Sequence, residues 1–269
     1  MKPKKSCDYR RKPSGSFRNR KHLGQNFLKD ANILRKEVGI GEVGGKTVLE
    51  IGAGDGRLTE KIIEGRALKV LAVEKDKELA TILEDRFDEN PHVEIINADF
   101  LKIEPHDIGD ENGSIDVIIG NIPYYISSAI IFRLKDYEFE RAVLIVQKEF
   151  AEKMIAKPNE SNYGRLSVTA QLAFEIELVQ KVPRYLFSPT PKVDSMMIIL
   201  RKTKSGTTIT KHDEEIIRIL FQHKNQSVRN ALKHAHAGIN APEEFAKRRV
   251  RTLTKEECLE IAMATRELI

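Results

Sequence analysis

The chain has few cysteines and no long apolar run, and both shortages exclude classes of protein. Its 269 residues include only Cys7 and Cys258, far apart and without further ligand pairs nearby. This excludes a zinc site and favours a reduced, cytosolic chain. No run approaches the roughly 20 apolar residues of a membrane span, and the first residues lack the apolar segment of a signal peptide. We therefore expect a cytoplasmic protein that neither binds a metal nor spans a membrane.

The positive charge of the chain is concentrated at its beginning. The net charge is +5, yet residues 1–21 alone hold nine Lys or Arg and a single acid, Asp8. We expect residues 1–20 to form a basic, disordered tail suited to a polyanionic partner. The alternative is a solubilising extension with no binding role.

Acidic residues are absent from Ile216 to Pro242. Apolar residues recur there at helical spacing, which predicts an amphipathic helix. Basic side chains follow at steps of three or four on its polar face. The alternative is a solvated helix face, but a long acid-free run favours contact with nucleic acid. The candidate RNA-binding residues are Arg218, Lys224, Arg229 and Lys233.

Strands and helices alternate along most of the chain, which predicts a mainly parallel sheet covered on both faces. The fold class is thus a Rossmann-like α/β domain at residues 21–205, followed by a small all-helical domain at 206–269. The expected strands are Thr47–Ile51, Val70–Glu74, Val93–Ile96, Val117–Gly120, Ala142–Val146, Ile176–Lys181 and Met196–Arg201. Helices are expected near residues 58–63, 79–87, 126–134, 148–156, 166–174 and from 211 onward.

A glycine-rich loop follows the first strand and indicates a ligand site. Glu50–Gly56 opens a helix, and ligands of open parallel sheets bind at the carboxyl ends of the strands. Glu74 ends the second strand, where a carboxylate can accept hydrogen bonds from both hydroxyls of a ribose. Asp99 follows the third strand and can accept from an adenine amino group, while Phe100 can flank the ring.

Dinucleotides and S-adenosylmethionine share this layout, and the loop favours the second. Its glycines are spaced Gly-x-Gly-x-Gly, with Arg57 where the dinucleotide fingerprint has its last small residue. Glu50 and Asp55 place carboxylates by the loop. They are unfavourable beside a pyrophosphate and suit a ligand with a sulfonium and an ammonium group. A nicotinamide oxidoreductase stays as a disfavoured alternative.

The turn Asn121-Ile122-Pro123-Tyr124 follows a buried strand and suits a nucleobase with an exocyclic amino group. The Asn121 carboxamide can accept one amino hydrogen, and a carbonyl at Ile122 or Pro123 can accept the other. Tyr124 can stack on the base. The alternative is an ordinary turn, since Asn and Pro favour turns and Tyr fills space.

Seven segments in this order resemble the ribosomal RNA adenine dimethyltransferases of the KsgA type, from about residue 21 to the end. They are Gly24–Leu28, Glu50–Gly54, Asn121–Tyr124, Gln147–Glu149, Tyr163–Val168, Pro191–Ser195 and Ser227–Leu232. The resemblance implies a lid over the cofactor formed by Gln25, Asn26 and Leu28. It also implies cofactor contacts from Gly52, Gly54, Glu74, Asp99 and Asn121. Phe187 lies in a loop that is similar in relatives, so it is expected either to cover the second face of the adenine or to belong to the core.

The resemblance implies dimethylation of adenine N6 groups by S-adenosylmethionine, at two adjacent adenines near the 3′ end of small-subunit ribosomal RNA. Nothing in this activity requires more than one copy of the chain, so we expect a monomer. Tyr125 and His223-Lys224 depart from the bacterial pattern and favour an archaeal or eukaryotic-like branch. The alternatives are an Erm-like methyltransferase of large-subunit RNA, a DNA adenine methyltransferase, and an RNA-binding ribosome-assembly factor with secondary catalysis.

Overall fold

The centre of the computed structural model is a seven-stranded sheet, and the structure describes residues 26–109, 114–203, 209–233 and 240–266. The predicted tail at 1–20 and Gln25 lie outside the described residues. The sheet order is β4-β3-β2-β5-β6-β9-β7, and a separate two-stranded sheet pairs β1 with β8. The strands are β1 (Phe27–Leu28), β2 (Thr47–Ile51), β3 (Lys69–Glu74), β4 (Val93–Asn97), β5 (Val117–Asn121), β6 (Arg141–Gln147), β7 (Phe174–Val182), β8 (Phe187–Ser188) and β9 (Ser195–Lys202).

The five strands β2 to β6 are parallel, whereas β9 runs antiparallel to both β6 and β7. The prediction of a mainly parallel, Rossmann-like sheet is therefore confirmed. From β2 the chain adds β3 and β4 on one side and then returns to add β5 on the other. The strand order thus reverses between β2 and β5, and such a reversal leaves a crevice at the carboxyl ends of the strands.

Helices cover both faces of the sheet and create two separate cores. The first three helices pack on one face against residues such as Val48, Val70 and Val117. The next three pack on the other face against Leu49, Ile118 and their neighbours. The helices are α1 (Ala31–Gly41), α2 (Arg57–Glu64), α3 (Lys77–Phe87), α4 (Ser127–Arg133), α5 (Lys148–Met154), α6 (Arg165–Ala173), α7 (Lys211–Gln222), α8 (Val228–Lys233), α9 (Glu243–Ala246) and α10 (Lys255–Ala264).

The C-terminal helices build a third core together with the outer face of α6. Val168 and Leu172 of α6 pack with buried side chains of α7, α8 and α10. Thr210 and Thr254 begin α7 and α10 with reciprocal side-chain caps, which satisfy free backbone N–H groups at each helix start. In the part of the chain after 211 that the structure describes, helices account for the regular structure apart from one isolated bridge. A domain boundary at 205 stays a prediction.

The single amphipathic helix expected across residues 216–233 is wrong. Helix α7 ends at Gln222 and α8 begins at Val228. The intervening backbone instead bonds a later segment: the Val228 N–H donates to the Arg248 carbonyl at 2.9 Å, and the Val250 N–H donates to the Gln226 carbonyl at 3.0 Å. The apolar part of the pattern holds on both helices, where most of its residues are buried, but the polar face is not continuous.

Candidate active site

A cavity of about 910 Å³ opens at the carboxyl ends of β2, β3 and β5. This volume lies within the roughly 300–1,000 Å³ that is typical of small-molecule sites. Most of the residues expected at the site line it together, although they come from distant parts of the chain. These are Asn26, Leu28, Gly52, Gly54, Glu74, Asp99, Phe100, Asn121, Ile122, Pro123 and Tyr124.

Two glycines give the loop after β2 a shape that other residues would disturb. Gly52 and Gly54 have φ angles of 76° and 59°, a region that side chains with a Cβ rarely adopt. A Cβ at Gly54 would lie 2.9 Å from the ring of Phe27, whereas a Cβ at Gly52 would meet nothing within 4 Å. The backbone at Gly52 therefore faces open space where a ligand can approach closely.

Glu74 is fixed at the end of β3 by two backbone donors. The Gly54 N–H donates to its Oε2 and the Asp76 N–H to its Oε1, both at 2.8 Å. Burial raises the pKa of Glu74, and the two N–H donors act in the opposite direction. Because a carboxylate oxygen accepts more than one hydrogen bond, each oxygen can also accept from a ligand hydroxyl.

Asp99 also lines the cavity, and it forms an ion pair that was not expected from the sequence. Its Oδ1 accepts from the Leu101 N–H at 3.2 Å, and its Oδ2 lies 2.9 Å from the Lys75 ammonium. The hydrogen bond from Lys75 holds the pKa of Asp99 below its usual range. Phe100 is largely buried and stacks on Tyr137 with ring centroids 5.2 Å apart, so one edge of the cavity is rigid.

The expectation that Glu50 contacts the cofactor is wrong. Side chains of a strand alternate between its faces, and Ile51 lines the cavity while Glu50 does not. Glu50 is fully buried, and its Oε2 accepts from the Thr59 hydroxyl at 2.6 Å. Glu37 of α1 is also fully buried, and its carboxyl has no hydrogen-bond partner among the described residues.

Burial raises the pKa of Glu50 to about 8 and raises that of Glu37 well above its usual range, with the charge of Glu50 adding to the second shift. A carboxyl whose pKa is higher in the folded chain stabilises it fully at pH values below the unfolded pKa. That contribution is lost as the pH rises through the folded pKa. Both groups therefore favour the folded chain at acidic pH and disfavour it as the pH approaches 8.

Glu37→Gln should consequently flatten the dependence of stability on pH. We expect the loss of unfolding free energy between pH 5 and pH 8 to be smaller in the variant than in the wild type, measured by urea unfolding at each pH. The matched control is Glu84→Gln on an exposed position of α3, which should retain the wild-type slope. An unchanged slope in Glu37→Gln would show that Glu37 is ionised in the folded chain.

The turn after β5 leaves two acceptors facing the cavity. The Pro123 carbonyl already accepts from the Ile126 N–H at 3.1 Å and from the Ser127 hydroxyl at 3.3 Å. The Asn121 carboxamide and the Ile122 carbonyl receive no hydrogen bond from any described residue. Of the two carbonyls considered from the sequence, the structure therefore favours Ile122 as the acceptor.

Tyr124 is held by Ser195, for which no role was expected. Its hydroxyl forms a 2.7 Å hydrogen bond with Oγ of Ser195, which is fully buried at the start of β9. Burial raises the pKa of Tyr124, so the phenol is neutral at physiological pH. The ring is therefore anchored at its far end while it lines the cavity.

The expectation that Phe187 covers the second face of the adenine is wrong, and its alternative as a core residue holds. Phe187 is 3% exposed and does not line the cavity. The pairing of two strands explains why Phe187 is buried: β8 runs antiparallel to β1, and Phe187 lies opposite Leu28. Its ring belongs to the core that includes Val182 and Met197.

The four basic candidates of the C-terminal region fall into two groups. Arg218 pairs with the Glu215 carboxylate, and the Lys224 ammonium donates to the Ser161 carbonyl at 3.0 Å. Arg229 and Lys233 are exposed and form no ion pair with a described carboxylate. The backbone bonds between 226–228 and 248–250 bring the exposed basic residues of a second run beside Arg229. These are Lys247, Arg249 and Arg251. The cluster of basic residues at 247–251 is visible in the sequence and could have identified them as candidates for RNA binding.

The described ranges contain neither a candidate metal site nor a membrane-spanning helix. No group of three or more His, Cys, Asp or Glu side chains there could hold a metal ion. None of the helices in that part of the chain is both long and apolar enough to cross a membrane.

Comparison with known proteins finds similarity over nearly the whole chain. A probable ribosomal RNA small subunit methyltransferase A of Thermococcus onnurineus is 41% identical over 253 residues, covering 89% of each chain. A protein of the same name from Methanopyrus kandleri is 42% identical over 220 residues, covering 80% of this chain and 77% of its own.

Solved structures show the same similarity. A dimethyladenosine transferase from Plasmodium falciparum has a TM-score of 0.74 at 28% identity, with 88% of this chain and 96% of that one covered. The 23S rRNA methyltransferase ErmE has a TM-score of 0.63 at 28% identity, with 89% of this chain and 99% of that one covered. The sequence model of one family, described as ribosomal RNA adenine dimethylase, matches residues 16–266, and this chain belongs to that family.

Proposed function

We propose that this chain transfers methyl groups from S-adenosylmethionine to N6 of adenines in small-subunit ribosomal RNA, two adjacent ones near the 3′ end. The observation that carries the proposal is the pair of free acceptors, Asn121 Oδ1 and the Ile122 carbonyl, in the same cavity as Glu74. The names of the relatives support ribosomal RNA of the small subunit as the substrate. We also propose that the chain acts in the cytoplasm and that methylation is coupled to biogenesis of the small ribosomal subunit.

The cavity fits the cofactor in shape and in chemistry. Glu74 would accept from the ribose hydroxyls, Asp99 from the adenine amino group, and the open backbone at Gly52 would lie against the amino-acid part. Asn26 and Leu28 also line the cavity. Asp55 also lines the cavity and pairs with Arg57 at 3.2 Å. When bound, S-adenosylmethionine supplies a methyl group activated by a positively charged sulfur.

The acceptors of the turn would prepare the adenine for this transfer. The lone pair of the amino nitrogen is delocalised into the ring, which makes it a poor nucleophile. Hydrogen bonds from both amino hydrogens, to Asn121 Oδ1 and the Ile122 carbonyl, favour a pyramidal nitrogen with its lone pair free. Positioning supplies much of the rate, and fixed dipoles around the developing charge supply more. Water takes the proton once the nitrogen is methylated, so no side chain has to act as a base.

A double substitution tests how Tyr124 is positioned. Tyr124→Phe and Ser195→Ala each remove the same hydrogen bond and should each lower kcat about fivefold, since such a bond contributes about 1 kcal/mol. The double variant should be no slower than either single one, because the second change has no bond left to remove. Ser195→Thr retains the hydroxyl and is the control. Effects that multiply in the double variant would contradict the coupling.

We propose that exposed basic residues of the helical region hold the RNA. Arg229 and Lys233 retain their predicted role, and Lys247, Arg249 and Arg251 join them on the same surface. Arg218 and Lys224 should contribute less, because their charged groups already have partners within the chain. Phosphate contacts of this kind weaken as salt rises. We further propose that the chain acts as a monomer.

Incubation with labelled S-adenosylmethionine and separate substrates tests the function. Undermethylated small subunits should accept label, and mass mapping should locate N6,N6-dimethyladenine near the 3′ end of their RNA. Large-subunit RNA and DNA are the controls. Label on large-subunit RNA alone would instead favour an Erm-like activity. Failure to bind the cofactor would revive the oxidoreductase alternative. If a catalytically dead Asn121 variant still supported subunit maturation, the assembly role would dominate.

A further inference from the structure

Two exposed aromatic side chains stand out among the described residues, one lining the cavity and one in a nearby loop. Large exposed apolar residues are few in the part of the chain that the structure describes, and two of them are aromatic: Tyr125, 65% exposed, and Tyr185, 73% exposed. Tyr125 lines the cavity. Tyr185 is the more exposed ring, and no hydrogen bond or ring contact to a described residue holds it. An aromatic ring exposed in this way offers a flat face on which a nucleobase can stack.

Backbone hydrogen bonds fix the position of Tyr185 between strand β1, which lines the cavity, and Ser195, which bonds Tyr124. Tyr185 lies in a short helical turn, Arg184–Leu186, directly before β8. On one side, the Lys29 N–H donates to the Leu186 carbonyl at 2.9 Å, beside the β1 residues that wall the cavity. On the other side, the Arg184 N–H donates to Asp194 Oδ1 at 3.0 Å, next to the serine that holds Tyr124.

Three exposed basic residues lie on the segments that flank Tyr185. Lys29, Arg184 and Lys192 are all exposed, and none of them forms an ion pair with a described carboxylate. The Arg184 guanidinium donates to the Lys192 carbonyl at 3.2 Å, which ties the two ends of the loop together. The nearby Asp194 carboxylate is already paired with Lys181 at 2.8 Å. A stacking surface framed by free cations is complementary to a nucleotide with its phosphates.

We propose that Tyr185 is a stacking platform for an unpaired nucleotide next to the target adenine, with Arg184 and Lys192 contacting its phosphates. The proposal rests on the proposed function. A base that enters a catalytic pocket leaves its neighbours without a stacking partner, and an aromatic side chain can replace that partner. Phe187, in the same loop, is buried under β1, so Tyr185 is the ring of this segment that RNA can reach.

Steady-state kinetics on undermethylated small subunits test the platform. Tyr185→Ala should raise the KM for subunits about tenfold, in line with stacking energies of roughly 1–3 kcal/mol. The kcat and the affinity for cofactor should stay within twofold, and Tyr185→Phe should behave as wild type. The matched control is Leu68→Ala, which removes an apolar side chain of 59% exposure at the opposite end of β3. A Tyr185→Ala variant that matches this control would overturn the proposal.

Ultraviolet crosslinking locates the contact independently of kinetics. Irradiation of the wild-type complex with small subunits should join Tyr185 to a nucleotide directly beside a methylated adenine, read by mass spectrometry of the peptide–RNA adduct. An adduct at a distant nucleotide, or none on this peptide, would refute the platform. If the wild-type chain binds cofactor but methylates no RNA, the proposed function itself fails. If it methylates RNA and Tyr185→Ala has no effect, the platform alone fails.

Discussion

Asn121→Ala should lower the kcat for methyl transfer by about 10²–10³-fold, the usual cost of removing one preorganised group that stabilises a transition state. The carboxamide at the end of β5 has no partner among the described residues, so its full capacity is available to the adenine amino group. Binding of S-adenosylmethionine should change little, because Glu74, Asp99 and the glycine loop remain. Single-turnover rates and calorimetry measure the two effects separately.

Asn121→Asp is the informative companion variant, since it keeps an acceptor oxygen in place and should retain more activity than alanine. The product ratio gives a second readout. After one methylation the nitrogen has a single hydrogen left, so the second transfer depends on fewer acceptors. Partially active variants should therefore alter the proportion of monomethyl to dimethyl product. Normal turnover by Asn121→Ala would remove this residue from the reaction.

Glu74→Ala should weaken the binding of S-adenosylmethionine by about 100-fold, or roughly 2.7 kcal/mol. Two hydrogen bonds to a charged acceptor would be lost, and at the low end of their usual strength, about 1.5 kcal/mol each, they account for a loss of this size. The Gly54 and Asp76 N–H groups would also lose the acceptor that now fixes the loop. Calorimetry gives the dissociation constant directly, and the rise in melting temperature on adding cofactor should be much smaller.

Glu94→Ala is a suitable control for this experiment. Glu94 lies on the neighbouring strand β4 and pairs at the surface with Lys69 at 2.8 Å, but it does not line the cavity. Its removal should leave cofactor affinity unchanged. Glu74→Gln should be nearly as damaging as alanine, because its NH₂ group would face a backbone N–H where the carboxylate accepts. Wild-type affinity in Glu74→Ala would exclude Glu74 from the site.

Local sequence patterns predict the sheet well, because its strands are short apolar runs separated by polar turns. Thr47–Ile51 has the same bounds in the structure as in the prediction. The carboxyl ends of parallel strands meet at one edge, so Glu74, Asp99 and Asn121 could be assigned to one site from chain order alone. Their common cavity follows from the topology and needs no knowledge of side-chain packing.

The wrong expectations all depended on contacts between distant parts of the chain. β2 is buried on both faces, so its sequence carries no alternation from which the direction of Glu50 could be inferred. Phe187 is buried by its pairing with β1, more than 150 residues earlier. The break between α7 and α8 has no glycine or proline to mark it. The backbone of residues 248–250 stabilises it instead.

The core shared by α6 and the C-terminal helices fixes the distance between two surfaces of the molecule. Val168 and Leu172 join the basic helical surface to the catalytic domain through buried apolar contacts, and the Lys224 ammonium adds a bond to the Ser161 carbonyl. The separation between the proposed RNA-binding surface and the proposed adenine pocket is therefore set by the protein. Only an RNA whose folded shape presents a backbone and an unpaired adenine at that separation can engage both, so selection should follow the architecture of the RNA more than its base sequence.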